Sequence, residues 1–140
     1  ALQELPDALM ERFTTVRSCI AAGAAAAKVG ARASEAHHAM IQALQDCGLE
    51  ASSPHGHGVG LEVRDYPIVV ANNGLYIKDE CLEISSDLQM ESDMMINLEA
   101  NIYVPGVASV HTEQSFLVAQ AGAEPLLVQE REHPIQAGRI

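Results

Sequence analysis

A chain of 140 residues with 48% hydrophobic content is one domain's worth of sequence, long enough for a core and short for a two-domain enzyme. A net charge of -11 argues against nucleic acid, whose phosphates demand a basic footprint, and no apolar run is long enough to span a bilayer. Without a basic-then-apolar leader and with three cysteines at unrelated spacings (Cys19, Cys47 and Cys81), the chain reads as cytoplasmic, its thiols reduced and buried as small hydrophobes.

From the N-terminus, Pro6 suits the first turn of a helix. Leu9, Phe13, Val16, Ile20, Ala24 and Ala27 recur at steps of three and four, the apolar stripe of that helix, and Gly30 is expected to stop it. Ser34 is expected to cap a second helix whose stripe runs through Ala36, Met40, Ala43 and Cys47 until Gly48 ends it. His37 and His38 read as surface or boundary residues of this helix. After Gly48 the period shortens. Val63, Ile68 to Val70, Leu75 to Ile77 and Leu82 to Ile84 are short β-type runs, with a turn at Asn72-Asn73-Gly74. In the longest run, alternation places Met94, Ile96 and Leu98 on one face and Met95, Asn97 and Glu99 on the other. Pro105-Gly106 turns the chain into a strand where His111, Glu113, Ser115 and Leu117 share a face. The whole is an α+β domain: two helices, then a mainly antiparallel sheet, then a polar tail over residues 129–140.

The chemistry concentrates around His55-Gly56-His57-Gly58. Glycine weakens a strand and marks places where a ligand or another backbone comes close. Neutral imidazole is the commonest protein ligand for a transition metal. Downstream, Glu99 lies in a highly apolar stretch, where an unpaired charge would be costly, and Glu113 opens another run.

Three blocks carry a family resemblance. Residues 57–63, HGVGLEV, resemble the histidine segment of the pita-bread metallohydrolases, the family of creatinase, prolidase, aminopeptidase P and methionine aminopeptidase. Residues 90–106, MESDMMINLEANIYVPG, resemble that family's LEPGMVFTIEPGIYVPG run, and residues 110–118, VHTEQSFLV, resemble its VRIEDTVLV run. The blocks stand in the family's order, and the similarity extends from about Arg17 to Leu127. The resemblance implies a curved half pita-bread sheet over residues 1–128 and a site with two divalent metals (Mn, Co, Fe or Zn). Five ligands hold such a pair: two aspartates, one histidine and two glutamates. Carried over, His57 and Glu99 bind one metal, Glu113 bridges both, and Glu99 also steers a proton to the leaving amine. A metal pair roughly 3.5–4 Å apart activates water at neutral pH.

The departures are informative. The family's aspartates belong upstream of the first helix, and Asp7 at a helix start is a poor stand-in, so the chain is expected to be the C-terminal half of such a domain. Arg64 stands where the peptidases carry a second histidine; its planar fork can hold a carboxylate or an oxyanion but cannot shuttle a proton. His111 occupies a position that is often arginine, and His55 is a possible substitute for a histidine lost at Ser53; both are assigned to substrate binding. Of Asp93, Ala100 and Asn101, which replace glycine and proline, Asn101 tolerates a positive φ most easily. The expectation is a metal-dependent hydrolase of the Xaa-Pro peptidase type, with Glu99 and Arg64 catalytic, acting on a small peptide or another C–N bond. Two alternatives stand beside it: a lyase on the same scaffold, as for dimethylsulfoniopropionate, or a binding protein without turnover. Association is expected too, with a second copy or with a partner supplying the N-terminal half, because a half sheet leaves an edge uncovered.

Overall fold

The computed structural model describes residues 6–49, 55–79, 82–106 and 108–127. Ser53, Cys81 and the polar tail lie outside them. Helix α1 (Asp7–Ala26) starts after Pro6 and buries Val16, Cys19, Ile20, Gly23 and Ala24 at the expected helical spacing. It packs against α2 (Ala33–Gln45), and Gly23 makes the close approach possible: a Cβ there would lie 2.7 Å from Met40 Sδ. The Cys19 thiol donates to the Met40 carbonyl across the same contact, at 3.4 Å. α1 stops four residues short of Gly30, contrary to expectation, because other partners take up the backbone that follows. Val29 N–H reaches Ala119 O, Gly30 N–H reaches Met90 O at 2.8 Å, and Met90 N–H returns to Ala31 O.

Arg32, not Ser34, is the N-cap of α2. Its N–H donates to Glu35 Oε1 at 2.8 Å. Ser34 sits inside the first turn, where its N–H and Oγ–H both donate to the Asp87 carboxylate, at 2.9 and 2.8 Å. A distant, buried aspartate therefore does the capping. His37 is buried, a correction to its surface reading, while His38 is exposed. Cys47 is also exposed, because α2 ends at Gln45 and Leu44 takes the last core position.

Seven strands follow among the described residues: β1 (His55–Gly58), β2 (Asp65–Val69), β3 (Tyr76–Asp79), β4 (Leu82–Ser85), β5 (Met95–Val104), β6 (Ala108–Leu117) and β7 (Glu124–Pro125). Five of them form an antiparallel sheet in the order β2-β1-β5-β6-β7, and β3 and β4 pair separately. Pro67 is tolerated inside β2 because β2 is an edge strand. Val63 falls outside any strand and is exposed. Asn72 and Asn73 build the expected turn by accepting the N–H groups of Gly74 and Leu75, and it leads into the separate ribbon. Ile96, Leu98, Ala100 and Ile102 alternate along β5 into the core beneath the helices, and Phe116 of β6 joins them. The positive φ falls on Asp93, at 66°, rather than on Asn101, which is held extended in β5 opposite His111.

Candidate metal centre

β5 carries Asn97 and Glu99 on the face turned away from the helices, and its two neighbours bring histidines and acids alongside. The registers fix the rows. His55 pairs with Glu99, which pairs with Glu113; His57 pairs with Asn97, which pairs with Ser115; Asn101 pairs with His111. Directly paired residues of antiparallel strands share a face, so these side chains all rise from one side of the sheet. The glycines let β1 sit there. A Cβ on Gly56 would lie 2.8 Å from Leu98 Cδ2, and one on Gly58 would lie 2.7 Å from the Tyr66 carbonyl carbon. The close approach anticipated from the glycine content is thus made by neighbouring strands.

One ligand atom each from His57, Glu99 and Glu113 lies within 4.8 Å of the others, a spacing able to enclose one ion. His57 Nδ1 is 2.8 Å from the Gly58 carbonyl, which can only accept, so Nδ1 carries the proton. Nε2 then presents its lone pair, 3.8 Å from Glu99 Oε1. This is the arrangement in which a second hydrogen bond fixes the tautomer of a metal-ligating imidazole. Two carboxylates directly opposite on adjacent strands repel each other. Glu99 is only 7% exposed, so water screens that repulsion poorly.

The compensation is a ring of cationic or potentially cationic groups. Glu99 Oε1 lies 2.8 Å from His55 Nε2 and 3.5 Å from Arg64 Nη2, while Glu99 Oε2 lies 3.5 Å from His111 Nε2. Oε1 is buried, and no hydrogen bond reaches it from the described residues. A carboxylate oxygen held in that way fits a metal ion, as does the set of one neutral imidazole and two carboxylates. Glu113 is steadied from the side: Asn97 Nδ2 donates to Glu113 Oε1, and Ser115 Oγ–H donates to Asn97 Oδ1 at 3.4 Å. All six residues singled out in the sequence (His55, His57, Arg64, Glu99, His111 and Glu113) therefore converge. Asn97 and Ser115 were missed, although strand parity already placed them on the right face.

The model of metallopeptidase family M24 matches residues 3–120. The chain belongs to that family. Within it, the chain is 28% identical over 134 residues to an Xaa-Pro dipeptidase of Lactobacillus delbrueckii subsp. lactis, covering 94% of this chain and 33% of that protein. The prolidase from Pyrococcus furiosus superposes with a TM-score of 0.73 at 25% identity, over 91% of this chain and 35% of that one. A dipeptidase from Pyrococcus horikoshii OT3 shares the fold, with a TM-score of 0.76 at 23% identity over 95% of this chain and 34% of that one. Two helices on an open antiparallel sheet are thus half of the M24 pita-bread fold. The chain spans about a third of the length of these relatives.

Proposed function

We propose that this chain provides one side of a divalent-metal hydrolase centre of the Xaa-Pro peptidase type, acting on the C–N bond of a small peptide. The observation that carries the reading is the convergence of His57, Glu99 and Glu113 from three different strands. When bound, the divalent ion (Mn, Co, Fe or Zn) would supply Lewis acidity and lower the pKa of water. The chain's own residues account for the rest. The Gly58 carbonyl holds His57 in the tautomer that offers Nε2, and Asn97 fixes the Glu113 carboxylate. Glu99, whose carboxylate can offer one oxygen to the ion, can accept a proton from water at the other and pass it to a leaving amine. His55 and His111, part-exposed on either side of Glu99, are placed to donate to a substrate carbonyl.

Further carboxylates would be needed for a second ion, and they would come from chain beyond these residues or from a partner. The outer edge of β6 supports that reading, since among the described residues β7 and Leu126 cover it at Ser115, Phe116 and Leu117 and leave the rest of the strand open. A cytoplasmic setting is in keeping with Cys19 and Cys47, which are both free thiols. No described helix is long and apolar enough to cross a membrane. The test is calorimetric titration of Mn²⁺ into wild type, His57→Ala and Glu99→Ala. Each variant is expected to lose roughly 100-fold or more in affinity, beyond what outer-sphere partners cost. Equal affinity across the three proteins contradicts the assignment.

A further inference from the structure

Of the three side chains that converge, His57 and Glu99 are buried and Glu113 is exposed. Packing holds the first two in place, while an exposed glutamate is free to change rotamer unless something else ties it down. Asn97 does so. It is itself only 7% exposed, and it stands on β5 directly opposite Ser115 and one diagonal step from Glu113. Its amide is engaged at both ends. An ionised carboxylate can only accept, so the nitrogen must be the end that faces Glu113, and Nδ2 donates to Oε1. Oδ1 is left to accept from Ser115 Oγ–H, at 3.4 Å.

The consequence is which oxygen Glu113 offers. Oε1 already accepts from a donor that burial and Ser115 keep in one place. Ligating carboxylates are ordinarily hydrogen-bonded by outer residues that orient them, and here the orientation leaves Oε2 for the ion. Spanning two ions engages both oxygens of a carboxylate, and one of this pair is engaged already. The arrangement is particular to this sequence. The two family runs compared with residues 90–106 and 110–118 carry threonine where this chain has Asn97 and Ser115. A threonine presents one hydroxyl on a short side chain, whereas the amide presents a donor and an acceptor on separate atoms.

We propose that Asn97 is a positioning residue: it holds Glu113 so that the carboxylate meets one ion through Oε2 alone, as a terminal ligand rather than the bridge carried over from the family. The proposal rests on the metal reading above and adds how the exposed ligand is aimed. Zn²⁺ is titrated calorimetrically into wild type, Asn97→Ala, Glu113→Ala and the double variant Asn97→Ala/Glu113→Ala. Asn97→Ala is expected to bind about tenfold to a hundredfold more weakly than wild type, the range for a partner that orients a ligand. In the Glu113→Ala background the same substitution is expected to change the affinity by less than about twofold, since no carboxylate remains to be aimed. An unchanged affinity in Asn97→Ala overturns the proposal. So does a loss of equal size in both backgrounds, which would make Asn97 a support of the sheet and not of Glu113. A crystal structure of the Zn²⁺-loaded wild type supplies a readout that needs no variant. The ion is expected about 2.0–2.2 Å from Glu113 Oε2, with Asn97 still on Oε1. Zinc on Oε1, or on both oxygens, overturns the proposal and leaves the metal reading intact. Failure of wild type to bind Zn²⁺, or a zinc bound away from Glu113, overturns both.

Discussion

Glu99 shows how much a single position can be asked to do. It faces Glu113 directly, sits almost out of solvent, and has three imidazoles and a guanidinium around it. Nothing about packing calls for such a residue at a sheet centre; the metal ion proposed above would. His37, buried in α2, is a second residue with a readable electrostatic signature. Burial first, then the neighbouring imidazoles of His38 and His55, hold its pKa below the ordinary 6.5. The sign follows from linkage. The unfolded chain takes up a proton at His37 as the pH falls through 6.5 while the folded chain resists it. The His37 contribution to stability is therefore intact above that pH and is lost progressively below it. Urea unfolding midpoints measured at pH about 7.5 and about 5.5 are expected to fall further for wild type than for His37→Leu. Equal falls would show that His37 is not the group responsible.

At the scale of elements, the alternation along β5 and β6 was legible because a half-buried strand must repeat every two residues, and an unbroken register keeps parity intact over ten residues of each strand. The glycine-rich β1 carries no such pattern; its place beside β5 follows from backbone approach that only the folded chain reveals. Helix ends were less legible for the same reason. Ser34 has the side chain of a cap, yet the partner that satisfies the first turn of α2 is Asp87, more than fifty residues away. The left-handed residue is Asp93, whose N–H is taken by Val118 O, while Asn101 is committed to the ladder. Asp87→Ala would strip Ser34 of both hydrogen bonds and remove a negative charge from a helix N-terminus. A loss of about 2 kcal/mol in urea unfolding is expected, with the Mn²⁺ affinity unchanged because Asp87 lies outside the centre. An unaltered midpoint would show that Arg32 and Glu35 cap the helix alone.

For the molecule as a whole, helices and sheet divide the labour. Helix α1 buries one face of β5 and β6, with α2 packed on α1 and β2, so the opposite face can carry unlike and like charges. The three side chains proposed to ligate the metal come from β1, β5 and β6, so they are brought together only when the sheet is assembled. Metal binding should accordingly stabilise the folded chain, through ligands the unfolded chain cannot bring together. The family's fold and the order of its blocks were readable from sequence, whereas the side-chain support that Asn97 and Ser115 give Glu113 required the register. The most direct measurement is anomalous diffraction at the zinc edge from crystals of the chain grown with Zn²⁺. The expected result is a peak about 2.0–2.2 Å from His57 Nε2 and from a carboxylate oxygen of both Glu99 and Glu113. A peak elsewhere on the surface, with those three side chains bearing no zinc, would contradict the account.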